Sequence, residues 1–173
     1  MNPIIRKADY SDIPALTQLL ISCAESMSQQ NMHHWLGVYD EDHVLENMKN
    51  KQLFILERDP QVLGCIALGR EKADYYDDCW PDAPDADFYI TQLAVNPGCQ
   101  GQGYGKLLMQ HCVNQVGQAS LQLDAVDHYP ALLRFYQQLG FAIIATGIGL
   151  GDKRHLFELQ DEQALAVSAQ FGM

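Results

Sequence analysis

Residues Gln100 to Lys106, reading Gln-Gly-Gln-Gly-Tyr-Gly-Lys, have the types and spacing to do chemistry in this 173-residue chain. Glycines stand at 101, 103 and 105, directly before a helical pattern. Without Cβ atoms they let the backbone approach a bound group closely and adopt positive φ. The opening turn of a helix turns its N–H groups outward, at the positive end of the helix dipole. Loop and helix therefore make a cradle for phosphate, and Lys106 adds a full positive charge beside it. Gln100, Gln102 and Tyr104 complete the loop. A P-loop needs Ser or Thr after its Gly-Lys, and here Leu107 follows. A dinucleotide fingerprint needs Gly-x-Gly-x-x-Gly in an early β-α-β unit, and this Gly-x-Gly-x-Gly lies past the middle of the chain. Both are excluded.

The elements that must position this loop are legible around it. Phe88, Ile90, Leu93 and Val95 mark a strand suited to a buried sheet. Asn96-Pro97-Gly98 ends it, since proline cannot donate to a ladder and its neighbours tolerate turns. The helix that follows places Leu107, Leu108, Cys112 and Val116 on one face. Upstream, Ile4-Ile5-Arg6 reads as a short strand. Ser11-Asp12-Ile13-Pro14 reads as a helix start, with Ala15, Leu16, Leu19, Leu20 and Cys23 inward. A second helix over Asp42 to Asn50 turns Val44, Leu45 and Met48 inward. Gln52 to Glu57 and Val62 to Leu68 form a hairpin about Arg58-Asp59-Pro60-Gln61. Downstream, Ser120 to Val126 alternates as a strand. Pro130 opens a helix over Ala131 to Leu139 that Gly140 closes. Phe141 to Thr146 and Leu156 to Leu159 make a closing strand pair around a loop over 147–154. Residues 161–173 form a tail, read as one more short helix of unassigned role.

Gln-x-x-Gly-x-Gly after a strand ending Leu-Ala-Val-Asn-Pro resembles the signature of the GCN5-related N-acetyltransferases. In that superfamily the loop holds the pyrophosphate of acetyl-coenzyme A. The opening Ile-Arg-Lys-Ala-Asp and the 52–68 hairpin are also similar to it. So is Ala131-x4-Tyr136-x3-Gly140-Phe141, the family's last motif, in which the tyrosine protonates the coenzyme A sulfur. The resemblance covers about Ile4 to Leu159. It implies a single domain over 1–173, with a mixed, mostly antiparallel twisted α/β sheet splayed at the cofactor strand and helices on both faces. It places the main chain of Leu93, Ala94 and Val95 along the pantetheine arm, one N–H polarising the thioester carbonyl. Gln100, Gly101, Gln102, Gly103, Tyr104, Gly105 and Lys106 then line the pyrophosphate, and Tyr136 is the general acid. A phenol suits that task because it stays protonated at neutral pH yet can hydrogen-bond a developing thiolate.

Two positions depart from the family pattern. His128 stands where relatives carry an asparagine, and Thr91 and Gln92 stand where many carry a basic carboxylate. The general base is left open between a water chain to Asp87, one to Asp124, and an acceptor that arrives neutral. In relatives the region after the first helix walls the acceptor pocket. Trp35 and Tyr39 fit that wall or ordinary packing beneath a loop. Trp35 together with Tyr75, Tyr76 and Trp80 also resembles a subgroup of small bacterial acetyltransferases.

The segment from Glu71 to Asp87 carries six aspartates and two prolines, which disfavour regular structure over much of it. It reads as a solvated acidic loop, or as an acceptor site in which Tyr75, Tyr76 and Trp80 bind a cationic amine. The formal charge of −11 argues against nucleic acid and against anionic membrane surfaces. The five cysteines form no Cys-x-x-Cys pair and suit reduced thiols of a cytoplasmic protein. No signal peptide or membrane-length apolar run is read. His33 and His34 lack companions at ligand spacing, so no metal is expected. No cysteine has a histidine at a nucleophile's spacing, which favours direct transfer over an acyl-enzyme. The expectation is acetyl transfer from acetyl-coenzyme A to a primary amine of a small cationic molecule, with homodimerisation compatible. Acetylation of a protein or peptide amine, and a non-catalytic acyl-coenzyme A sensor, are the alternatives.

Overall fold

The computed structural model describes residues 2–160, so the tail expected as a helix over 161–173 lies outside the described residues. The chain falls into two units: residues to Gly69 with Ile90–Gln115, and Arg70–Tyr89 with Val116 onward.

The first unit opens with β1 (Ile4–Lys7) and a capped 3-10 turn that leads into α1 (Ile13–Gln29). Asp9 accepts from the Ser11 amide while Asp12 accepts from the Asp9 amide, the reciprocal arrangement of a capping box. Arg6 grips Asp12 through two nitrogens, each at 2.8 Å, and reaches Glu57 at 2.7 Å. Leu16, Leu19, Leu20 and Cys23 are buried along α1 as the helical period requires, but Ala15 faces solvent. Thr17 is buried in its stead, its hydroxyl donating to the Ile13 carbonyl at 2.7 Å.

Helix α2 (Glu41–Asn50) precedes the antiparallel hairpin of β2 (Gln52–Arg58) and β3 (Gln61–Gly69). Alternation along these strands sorts side chains to opposite faces. Leu53, Ile55, Cys65 and Ala67 pack with Val44 and the apolar stripe of α1. On the other face Phe54 meets His111 of α4 (Tyr104–Val116), ring centroids 4.5 Å apart. Gly64 lies under the same helix, since a Cβ there would come 3.0 Å from Leu108. Helices thus cover both faces of this unit. The buried stripe of α4 is Leu108, Met109, Cys112, Val113 and Val116, whereas Leu107 is 41% exposed. A helix beginning at Tyr104 carries position 107 about 100° away from that stripe, toward water.

The second unit holds β5 (Leu121–Val126), α5 (Pro130–Gln138), β6 (Phe141–Gly149) and β7 (Asp152–Leu159). Gly140 closes α5 at φ +95, as its position demands. The closing pair is longer than the sequence pattern indicates. Its turn is only Leu150-Gly151, and the expected loop over 147–154 is mostly strand. Leu150 and Gly151 take φ +52 and +83, the left-handed pair that suits a twisted two-residue hairpin. The acidic segment is less irregular than its composition implies, because it contains a helical turn, α3 (Tyr76–Cys79). Tyr76, Cys79 and Trp80 pack with Tyr89 and Leu156, while the adjacent Phe157 packs against Tyr136 of α5.

Strand β4 (Phe88–Val95) belongs to both units. The seven-stranded order is β1-β2-β3-β4-β5-β7-β6. Antiparallel ladders join β1 to β2, β2 to β3, β5 to β7 and β7 to β6. The parallel ladder of β4 with β5 consists of Phe88–Leu121 and Tyr89–Gln122. All five cysteines are buried and unbridged.

Candidate active site

In the first unit the end of β4 is fixed from both sides. The Asn96 amide donates to Leu63 at 2.7 Å and the Asn96 side chain accepts from Gly98, which stops the strand. A 3-10 turn (Pro97–Cys99) follows, then Gly101 at φ +82 and Gly103 at φ +83. Only glycine takes such angles without strain. At both positions nothing lies within 4 Å of where a Cβ would stand, so the loop faces open space. The first intrahelical bond of α4 runs from the Leu107 amide to the Gly103 carbonyl, which puts the opening turn's amides ahead of the helical ladder.

Gln100, Gln102 and Lys106 are exposed along this loop, and Gly105 lies in the opening turn. Tyr104 is different. Its side chain is buried, accepting from Arg58 Nη2 at 2.9 Å and donating to Gln102 Oε1 at 3.2 Å. It ties the loop to the β2–β3 hairpin and offers the cradle its main chain. On β4, Ala94 packs in the core and the Val95 carbonyl accepts from Cys23 Sγ at 3.2 Å. Leu93 is half-buried. Gln92 takes φ +56, a bend in the strand that the sequence does not announce. Beside it, Thr91 Oγ1 accepts from Lys51 Nζ at 3.1 Å.

Trp35 and Tyr39 lie in this unit, edge to face at 5.3 Å and packed on the α1 core. Burial pushes the Tyr39 phenol up from its usual value. Both rings are only partly buried there.

In the second unit Tyr136 is buried among Phe135, Phe141 and Phe157. Among the described residues its hydroxyl makes no hydrogen bond. Burial raises its pKa, and the Asp124 charge adds to that, so the phenol keeps its proton well past neutrality. His128 is half-exposed, with Nε2 3.2 Å from Asp152. Its neighbour Asp127 accepts from His155 Nε2 at 2.5 Å, which holds that carboxyl below the usual range.

Of the three rings read as a cation site in 71–87, Tyr75 is half-buried and the other two are buried. Tyr76 is 2% exposed and Trp80 6%. Tyr75 and Tyr76 both donate to Asp124, at 3.0 and 2.8 Å, and Arg154 Nη1 lies 3.2 Å from the same carboxylate. Lys72 already occupies Asp77 and Asp85, at 2.6 Å each. Neither carboxylate named as a route for the base is unengaged, because Asp87 accepts from both the amide and the hydroxyl of Ser120, which lowers its pKa. Among the described residues no group of three His, Cys, Asp or Glu is placed to hold a metal.

Comparison with known proteins decides what this geometry belongs to. Residues 49–143 match the family model described as an acetyltransferase (GNAT) domain. The chain belongs to the GNAT acetyltransferases. It is 23% identical to the uncharacterized N-acetyltransferase YesJ of Bacillus subtilis, over 87% of this chain and 86% of that protein. It is also 23% identical to S-(2-succino)cysteine N-acetyltransferase of the same organism, over 82% and 85%. The fold is similar to that of PaiA N-acetyltransferase from Thermoplasma acidophilum in complex with coenzyme A. That likeness has a TM-score of 0.68 at 16% identity and covers 93% of this chain and all of the other. In this GNAT chain, no helix among the described residues is long and apolar enough to cross a membrane.

Proposed function

We propose that this GNAT protein moves an acetyl group from acetyl-coenzyme A directly to the primary amine of a small molecule, with both bound together. The observation that carries the reading is the loop of Gly101 and Gly103, left-handed and open to the outside directly ahead of α4. That shape fits a pyrophosphate, which needs close backbone approach and amide donors. The main chain of Leu93 to Val95 would hold the pantetheine arm, Gln100 to Lys106 the pyrophosphate, and His128 a further hydrogen bond. Bound acetyl-coenzyme A supplies a thioester whose acyl carbon is open to attack by a neutral amine. Tyr136 Oη holds the proton for the departing sulfur, and the burial that raises its pKa keeps that proton in place.

The cationic acceptor read from residues 71–87 draws little from that segment, because Tyr76 and Trp80 are buried and Asp77 and Asp85 hold Lys72. One relative's name, S-(2-succino)cysteine N-acetyltransferase, supports a small amino acid as the kind of amine a related protein takes. The test is thiol release from acetyl-coenzyme A across polyamines, amino acids and short peptides, with wild type beside Tyr136→Phe. Turnover on a small amine, lowered about a hundredfold or more in the variant with cofactor affinity kept, is the expected result. Turnover on peptides alone would favour a protein acceptor. Cofactor binding without turnover would favour a sensor.

A further inference from the structure

Lys51 stands where α2 hands the chain to β2. Its amide donates to the Asn47 carbonyl at 2.8 Å, and its extended backbone (φ −139, ψ 164) ends the helix. The side chain then runs over Gly69 at the end of β3, where a Cβ would come 3.0 Å from Lys51 Cγ. The glycine at 69 leaves room for that path. It delivers Nζ to Thr91 Oγ1 on β4, a neutral partner 3.1 Å away.

Among the described residues no carboxylate pairs with this half-buried ammonium. That is unusual in a chain with 22 acidic against 11 basic residues. Arg6 has Asp12 and Glu57, Lys72 has two aspartates, and Arg154 has Asp124. Burial lowers the Lys51 pKa, and no neighbouring charge contributes to the shift. One helical turn earlier, the Asn47 side-chain amide nitrogen is buried with no acceptor. Buried donors left without acceptors are expensive, and a buried cation without an anion more so. The Thr91 hydroxyl, which accepts from Lys51, still has its own proton to give. A cation and a hydroxyl donor side by side complement an oxyanion.

Resting on the acetyl-transfer reading, we infer that Lys51 and Thr91 receive a carboxylate of the acceptor, so that the acceptors are amines that also carry a carboxylate, as amino acids do. Thr91 lies on β4, two residues before the segment assigned to the pantetheine arm, so a carboxylate held there would anchor the acceptor beside that segment.

The experiment pairs neutral and acidic L-amino acids with their decarboxylated amines and follows thiol release by wild type, Lys51→Met, Lys51→Arg and Thr91→Val. Wild type is expected to prefer the carboxylate-bearing member of a pair. Lys51→Met should shrink that kcat/KM preference about ten- to hundredfold, chiefly through KM, as loss of a charged hydrogen bond would. Lys51→Arg should restore part of it, since the charge is kept. Preference for the decarboxylated amines, or an unchanged ratio in Lys51→Met, overturns the inference. Calorimetric titration of the N-acetylated amino acids into the coenzyme A-loaded protein separates the two readings. Binding that Lys51→Met weakens, without turnover on any amine, would keep the carboxylate site and sink acetyl transfer. No binding of any such anion would sink the site.

Discussion

Asp124 and Arg154 form an ion pair inside the second unit, Oδ2 lying 3.2 Å from Nη1, with the two side chains 8% and 7% exposed. The pair is further tied by the hydroxyls of Tyr75 and Tyr76, which donate to the same carboxylate, and by Arg154 Nε, which donates to the Gly149 carbonyl. A buried pair adds little net stability relative to an apolar replacement, but losing one partner strands the other. Asp124→Ala should therefore destabilise the protein by about 3–5 kcal/mol. Asp124→Asn, which keeps an acceptor oxygen, should lose less. Urea unfolding of both variants checks this. A wild-type midpoint for Asp124→Ala would show that the pair and its two tyrosines do not hold the acidic segment in place.

Gly103→Val isolates the cradle from the fold. A valine at φ +83 carries the left-handed penalty of roughly 1–2 kcal/mol, but its Cβ has nothing within 4 Å to meet. The folded variant should survive with a modestly lower melting temperature and lose acetyl-coenzyme A binding in calorimetry. If it binds the cofactor as tightly as wild type, the pyrophosphate is held elsewhere.

These two predictions draw on unequal parts of the sequence. The cradle is legible because glycine spacing and a helix start are local signals, and the same holds for the α5 helix between Pro130 and Gly140. Seven strands are legible from apolar β-type runs between turn signals, and over Ser120 to Val126 from alternation, with errors at the ends. The β6–β7 turn is hidden because Leu150 takes a left-handed angle that leucine rarely adopts, so Gly147 to Arg154 reads as a loop. The acidic segment misleads in the opposite direction. Its aspartates suggest solvent, but its tyrosines reach a carboxylate on β5, 48 and 49 residues later in the chain. Lys51 and Thr91 are 40 residues apart, and only the fold brings them together. Pairing across such separations is invisible to periodicity.

Gly147 tests the packing of that misread segment. A Cβ at this position would lie far inside van der Waals contact distance of the Cys79 carbonyl oxygen, a main-chain atom at the end of α3. Neither the strand nor the helical turn can yield locally, so Gly147→Ala should cost about 3 kcal/mol or more. Gly149 is a matched control. Its Cβ would meet Cys79 Sγ and Arg154 Cδ at 3.2 and 3.3 Å, side-chain atoms that can shift. Gly149→Ala should be clearly milder in the same unfolding assay. Equal effects would mean that α3 does not press on β6.

Lys51 links the proposed acceptor site to stability. Burial alone lowers its pKa in the folded protein, so the unfolded chain, near the ordinary lysine value of about 10.4, binds the proton more tightly. Stability then rises with pH wherever the unfolded state holds more protons. The burial penalty is complete below the folded pKa and disappears above the unfolded one. Lys51→Met, which removes the charge and keeps the stem's packing on Gly69, should therefore stabilise the protein at neutral pH. The gain should fade as the pH is raised toward and beyond the ordinary lysine value. Urea unfolding of wild type and variant at neutral and alkaline pH measures both. A more stable protein that discriminates less among acceptors is the expected signature of a residue kept for binding. Destabilisation of Lys51→Met at neutral pH would instead make the lysine a structural strut between α2 and β4.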